Sequence, residues 1–421
     1  DAENYPLYCE MLERVARQLE PLMQRTAPNP LPLPQSWRKK GMLSKIRNGQ
    51  QIWEMFQALG ELGEDLPDAM QLLSGAARPL LENWFESEVL RATLGTDAII
   101  GAFQSLSSAG SAYTLLHHVM GQAGGSRGVW GYVQGGMGAL ANALAQACTD
   151  LHVDILTETE VCKILTSDGK VCGVALGNGR IIETSIVAST VDANLTFNRF
   201  LDEDDLPTGF RKAVGAIDYS SASMKINMAL AEAPQFSCVG SEGMGPHLHG
   251  TIHISPTVDY VERAFADALA GWPSTEPVLE ITIPTSLDTT IAPAGKHLMN
   301  VFVQFAPYNL AENKQWDDIK EEFADRCIAQ IARYAPNVPS AIEHRQVLSP
   351  LDLERTFGLT GGNIMQGAMT PNQLFFMRPV VGWADHRTPV RGLYLCGAAS
   401  HPGGGVMGTC GRNGAAAILK G

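Results

Sequence analysis

What is missing narrows the field first. None of the eight cysteines (Cys9, Cys148, Cys162, Cys172, Cys238, Cys327, Cys396 and Cys410) stands in a C-x-x-C pair, and their spacing follows no framework, so neither a disulfide-stapled fold nor a dithiol pair is indicated. They read as mostly buried small hydrophobes of a thiol-rich intracellular chain. Basic charge is short as well: a formal net charge of -13 leaves no net positive face for nucleic acid or an anionic membrane. A membrane-spanning helix needs about 20 apolar residues, and the best candidate, AIIGAFQSLSSAGSAYTLLHHVMG, is broken by polar and small ones. Internal repeats and low-complexity tracts are absent. So is an initiator Met: the chain opens inside a helix-like pattern, DAENYPLYCEML, which leads us to expect a fragment whose native start or targeting peptide lies upstream.

What is present suits a large globular chain. Its 421 residues, 45% apolar, suffice for two or three domains or one large domain with an insertion. Leu7, Met11, Leu12, Val15, Leu19, Leu22 and Met23 recur at helical steps and predict an amphipathic helix over 5–23, ended by PNPLPLPQS. Helical periods punctuated by Gly or Pro continue through 52–120. From GYVQGGMGALANALA the texture changes. A helix is predicted over 139–149, followed by strands at Val153–Leu156, Glu160–Thr166, Val171–Leu176 and Arg180–Ser189, with SDGK and GNGR as hairpin turns. Residues 206–347 alternate strands (SASMKINMALA, HLHGTIHIS, PVLEITIPTS, KHLMNVFVQFAPY) with two helices, implying an α+β unit on an antiparallel-leaning sheet. The loop-rich run PLDLERTFGLTGGNIMQGAMTPNQLFFMRPV precedes the last segment.

That segment carries the sharpest signal. In LYLCGAASHPGGGVMGTCGRNGAAAIL a strand, Leu393–Cys396, runs into Gly397, and a helix begins near 405–408 and ends at Leu419. Free amides and the positive end of the helix dipole favour negative charge above such a loop, and Gly403, Gly404 and Gly405 allow close approach. Gly408, Gly411, Gly414, Ala415 and Ala416 would let the helix press on a neighbour. A plain connecting turn is the duller reading of any lone glycine cluster.

These residues resemble the C-terminal flavin signature of phytoene desaturase-like FAD-dependent oxidoreductases, and the likeness extends to GGMGALANALA, to TEVCKIL with the strands after it, and to FGLTGGNIMQGAMTPNQLFFMRP. It implies an α/β FAD-dependent oxidoreductase of phytoene desaturase/amine oxidase-like fold, with an incomplete Rossmann-type flavin domain and an α+β substrate domain. The expected division is 1–134 helical and substrate-covering, 135–190 flavin-domain helix and meander, 191–379 substrate domain, and 380–421 C-terminal flavin segment. The resemblance assigns FAD to Gly135, Gly136, Met137, Gly138, Val161, Gly397, Ala398, His401, Pro402, Gly403, Gly404, Gly405, Val406 and Met407, with Val161 approaching the adenine. The βαβ unit with which the family begins, carrying a G-x-G-x-x-G and a ribose-binding acid, is not found here, so the ADP half of the site would belong to upstream residues of the intact protein. The implied reaction is hydride transfer from an apolar substrate to flavin, with no residue declaring itself a general base. A nearer likeness within the family implies a mitochondrial compartment and a respiratory-chain protein partner. The rival is a catalytically silent scaffold acting through protein partners. A membrane-docked carotenoid-type desaturase is disfavoured by the acidic charge and the lack of a basic amphipathic helix.

Individual side chains leave alternatives open. His401 either faces the flavin or packs under its loop and caps a carbonyl. His247, His249 and His253 fall at even spacing on an expected strand, where a metal is conceivable and a partly exposed face is the simpler reading. One of His117 and His118 faces a substrate channel, or both are satisfied in core or solvent. Phe375, Phe376 and Met377 roof an apolar cavity or are plain core. Arg378, if buried, calls for an anionic partner near the flavin. Met137 and Met407 are held for the flavin ring, whereas Met120, Met224 and Met228 read as core filler.

Overall fold

The computed structural model describes residues 1–31, 42–239 and 244–420. Six helices lead: α1 (Asn4–Met23), α2 (Met42–Gly60), α3 (Leu66–Ser74), α4 (Ala77–Trp84), α5 (Glu88–Thr96) and α6 (Ser111–Val119). The predicted period of α1 buries Met11, Leu12, Val15 and Leu19 against α3–α6, with Tyr8 in place of the expected Leu7, which is exposed. Each such side chain stabilises by roughly 1.5–3 kcal/mol. Most of the run PNPLPLPQS lies outside the described residues. A two-stranded hairpin, β1 (Gln122–Ala123) and β2 (Ser126–Arg127), then leads to α7 (Met137–Asp150), none of whose residues is buried.

Strands β3 (Val161–Ser167), β4 (Lys170–Leu176) and β5 (Ile181–Glu183) form the antiparallel meander. Asp168 and Gly169 both take positive φ at its first turn, as SDGK requires. Two expectations fail nearby. Val153–Leu156 is not a strand: with no neighbour to accept its ladder, this apolar stretch stays irregular and half exposed. The run Arg180–Ser189 is not one strand either. It breaks at Thr184–Ile186, and its second half, β6 (Val187–Ser189), leaves the meander to pair in parallel with β12 (Leu393–Leu395). Helix α8 (Thr208–Gly215) packs Phe210 and Val214 on this assembly with Phe197, Trp383 and Leu393.

The remaining unit is a five-stranded antiparallel sheet of order β11 (Ile342–Leu348), β7 (Ser223–Leu230), β10 (His297–Gln304), β9 (Val278–Thr282) and β8 (Ile252–Ile254). One face buries Met224, Ile226, Met228, Met299, Val301 and Ile281 against α10 (Trp316–Ala332) through Phe323, Cys327 and Ile331. Helix α9 (Val258–Leu269) joins the core of the first helices instead. Helix α11 (Val338–Ala341) leads into β11, whose charged sequence, IEHRQVL, hid it: Arg345 pairs with Glu321 at 2.7 Å and with Asp325, both on α10. The expected loop run likewise contains α12 (Pro350–Phe357), opened by a Ser349–Asp352 capping box and closed by Gly358 in the left-handed region. The expected histidine strand is shorter than predicted. His247 lies in a single turn opened by Pro246, and only His253 reaches β8, so the three rings do not share a strand face. Helix α13 (Thr409–Leu419) ends the described chain, and no helix among the described residues is long and apolar enough to cross a membrane.

Candidate functional site

β12 delivers the chain into the glycine loop. Cys396 donates its amide to Ser189 O at 2.7 Å, which extends the β6–β12 ladder by one bond. A Cβ on Gly397 would stand 2.1 Å from Thr190 O, so only glycine fits there. Of Gly408, Gly411 and Gly414, only Gly414 meets a neighbour, with Cys396 Sγ 2.4 Å from its missing Cβ; nothing lies within 4 Å at the other two.

Beneath the loop sits Arg378, fully buried. Its five N–H groups reach five carbonyls: Nε to Ala398 at 2.9 Å, Nη1 to Ala368 at 3.2 Å and Gln373 at 3.3 Å, Nη2 to Met365 at 2.6 Å and Gly367 at 3.3 Å. The expected anionic partner is therefore replaced by a cage of backbone dipoles, which satisfies the same donors without a second charge. His401 also faces inward. Its Nε2 lies 3.3 Å from Leu22 O on α1, its ring rests on Phe375 at 6.2 Å, and burial pushes its pKa down to about 4. His401 thus packs under its loop and caps a carbonyl of α1.

Gly403, Gly404 and Gly405 are crowded by the protein itself. Their missing Cβ atoms would stand 2.6 Å from Met369 Sδ, 2.9 Å from Met365 Sδ and 3.0 Å from His117 Nε2. Past them the loop opens. Val406 is 82% exposed at φ 52°, a strained setting for a β-branched residue, and Met407 is 43% exposed. The second loop is open too. Gly135 and Gly136 take φ +80° and +79°, Gly135 donates to Asp288 Oδ2 at 2.6 Å, and nothing lies within 4 Å of a Cβ on Gly136 or Gly138. Asp288 has its pKa lowered by the Thr290 hydroxyl first and by the Gly135 amide second. Helices α7 and α13 both start from glycine with no side-chain cap, so their first amides remain available to an anion. This donor set and these open cradles fit the polar parts of a flavin dinucleotide.

The two loops are linked through consecutive histidines of α6. His117 Nε2 lies 2.7 Å from Gly404 O, while His118 stacks on Trp130, ahead of Gly135, with ring centroids 5.7 Å apart. Val161 opens β3 opposite Leu176, and no hydrogen bond among the described residues joins it to either loop. Beside His117 lies a narrow recess between residues 100–104 and 363–370. Sequence reasoning missed Met365 and Met369, which wall it, and the row on the face of the five-stranded sheet opposite α10. There, strand register sets His253, Glu280, Phe302 and Lys225 side by side. Burial pushes Glu280 up to about 8, with Asp97 raising it further and Lys225 opposing. Burial alone lifts Asp97 to about 6. The alternation in MKINMAL, apolar residues on one face and Lys225 and Asn227 on the other, was a legible signal for this row.

Fold and site together define an FAD-dependent oxidoreductase of mixed helix and sheet: the chain matches the flavin containing amine oxidoreductase family over residues 3–419 and belongs to it. FAD is that family's cofactor. Among curated proteins the chain is similar to pyridine nucleotide-disulfide oxidoreductase domain-containing protein 2 of Rattus norvegicus, at 41% identity over 426 residues, covering all of this chain and 73% of the rat protein. It is also 27% identical over 336 residues to a phytoene desaturase (lycopene-forming) of Pseudescherichia vulneris, covering 78% of this chain and 62% of that one. Among solved structures, an oxidoreductase from Methanosarcina mazei shares the fold, with a TM-score of 0.53 and 18% identity over 83% of this chain and 68% of that one.

Proposed function

We infer that the chain oxidises an apolar substrate held in the recess, by hydride transfer from a saturated carbon to flavin. One observation carries this reading: the recess and the glycine loop share a wall. Met365, Met369 and His117 line the recess and also press on Gly403–Gly405. The apolar lining of the recess comes from Ile100, Ala102, Phe103, Met365, Ala368 and Met369, while Asp218 and Ser220 stand exposed at its mouth. A phytoene desaturase among the relatives supports a hydrocarbon-like substrate.

On this reading Gly135, Gly136, Met137 and Gly138 offer the α7 amides to the cofactor, and Val406 and Met407 face it from the loop after β12. Gly397, Ala398, His401, Pro402 and Gly403–Gly405 hold that loop in shape from beneath. FAD, when bound, supplies the two-electron acceptor. The protein's own part is to orient the substrate and exclude water. No finding supports the silent-scaffold alternative.

The test is anaerobic bleaching of the flavin absorbance of the FAD-loaded chain by phytoene, for wild type and for Ala102→Trp. The filled recess of A102W should keep the visible spectrum and lose the bleaching. Equal bleaching by both would remove the recess from the reaction.

A further inference from the structure

Helix α2 turns its polar side to the protein and its apolar side to water. Asn48 Nδ2 donates to Asn29 O at 2.8 Å, and its Oδ1 accepts from Asn29 N at 2.7 Å. Gln51 Nε2 donates to Thr26 Oγ1 at 3.0 Å, and Glu54 pairs with Arg25. These contacts hold α2 to the end of α1. On the opposite side Met42, Ile46, Trp53 and Phe56 are 58% to 80% exposed. Their steps of four, seven and three residues keep them within about 80° of one another, as a stripe roughly 21 Å long. A surface helix ordinarily buries such a stripe in the core, yet no described side chain of α2 is buried.

Charge says what covers it. From Pro21 to Trp53 the sequence carries six Lys or Arg and no Asp or Glu. Within α2 Lys45 and Arg47 are exposed, and neither forms an ion pair among the described residues. The net charge of -13, which argued against an anionic membrane, averages this window away, and the basic amphipathic helix that was expected to be lacking is present. Its apolar face went unnoticed because the structure turns it outward. Cations beside an outward stripe that holds a Trp and a Phe match the interface of an anionic bilayer, where rings sink to the headgroup boundary and cations meet phosphate. An acidic protein would satisfy the cations but would need a groove shaped to the stripe, whereas a bilayer meets both without one. Arg25 places this helix near the site: its guanidinium pairs with Glu54, and its carbonyl accepts from Asn413 Nδ2 of α13 at 3.3 Å.

We propose that α2 docks the protein peripherally on an anionic lipid surface, with Met42, Ile46, Trp53 and Phe56 inserted at the headgroup boundary and Lys45, at the edge of the stripe, meeting lipid phosphate. The docking is independent of the identity of the substrate.

The test is co-sedimentation of the full chain with phosphatidylcholine vesicles, with and without about one-third phosphatidylglycerol. Wild type should bind the anionic vesicles, bind the neutral ones roughly tenfold more weakly, and lose most of its binding at about 0.5 M salt. Ile46→Glu combined with Trp53→Glu should lower binding by roughly tenfold or more. Lys45→Gln should lower it roughly fivefold. Leu144→Glu, on the similarly exposed α7, should leave it unchanged. Trp53→Phe keeps the stripe apolar, so it should still bind while the quenching of Trp emission by brominated lipid falls; that conservative variant guards against misreading a misfolded one. No binding by wild type, equal binding to neutral vesicles, or binding that I46E/W53E leaves intact would overturn the proposal, as would its loss in L144E. Preference for polyglutamate over the vesicles would assign the face to an acidic protein, and a dimer that I46E/W53E dissociates would assign it to a second copy; either would overturn the lipid reading.

Discussion

Replacing Arg378 by Met tests whether the carbonyl cage holds the glycine loop in place. The variant keeps much of the side-chain volume and removes all five donors. Of the five carbonyls, Ala368 O retains a second donor, Gln373 Nε2 at 3.3 Å, so four are left orphaned in the interior. At roughly 1–3 kcal/mol each, their loss costs about 4–12 kcal/mol. Against this stands the hydration the guanidinium gives up on burial, which holds its pKa down to about 10 and corresponds to roughly 3 kcal/mol regained when the charge is deleted. The net expectation is a destabilisation of about 5 kcal/mol, with Arg378→Lys, which keeps the charge and at most three donors, falling between. Urea unfolding followed by circular dichroism reads the total. Hydrogen exchange localises it: peptides spanning 363–379 and 397–404 should lose protection before the five-stranded sheet does. Stability within about 1 kcal/mol of wild type, together with unchanged exchange in those peptides, would refute the cage.

Three further outcomes follow from other contacts. Gly414→Ala drives a methyl group against Cys396 Sγ and should destabilise by about 1–3 kcal/mol, while adding Cys396→Ala should return most of the loss in thermal melts. Glu280 has a folded pKa raised to about 8, so it holds its proton in the native state and stability declines as pH rises from about 5 to 9. Glu280→Gln should therefore match wild type near pH 4 and exceed it by about 1–3 kcal/mol at pH 9 in denaturant titrations. His117 and His401, both depressed to about 4, have the opposite sign: unfolding takes up their protons, and stability should be lost as pH falls from about 6.5 to 4. A chain carrying His401→Phe that shows the same acid midpoint as wild type would contradict that account.

Much of the fold was legible because local pattern and burial agree. The period of 5–23 gives α1 to within a residue, and alternation in MKINMAL and KHLMNVFVQ gives β7 and β10, because each presents one apolar face to one core. Errors arose where the pattern needs a partner. Val153–Leu156 has strand composition and no neighbour, and HLHGTIHIS loses its first half to the turn opened by Pro246. Ile342–Leu348 is a strand despite its charges, because an edge position lets Glu343 and Arg345 reach cations and acids outside the sheet. For α12 the signals were present, in the Ser349–Asp352 pair and Gly358, and were outweighed by the glycines that follow. At the site, sequence could identify the strand, the loop and the helix. It could not foresee that Arg378 meets five carbonyls, or that His117 and His118 reach opposite loops, since both depend on backbone brought from distant parts of the chain.

The parallel ladder between Val187–Ser189 and Leu393–Leu395 has a consequence for synthesis. Its strands are separated by about 200 residues, and loop closure of that length makes it among the slowest contacts to form. During translation the hydrophobic side chains of 193–214 that pack on β12 must therefore wait, uncovered, until Leu393–Leu395 have left the ribosome. Ribosomes stalled before the codon for Leu393 should thus display a nascent chain whose five-stranded sheet resists protease while residues 161–214 remain open to cleavage and to chaperones.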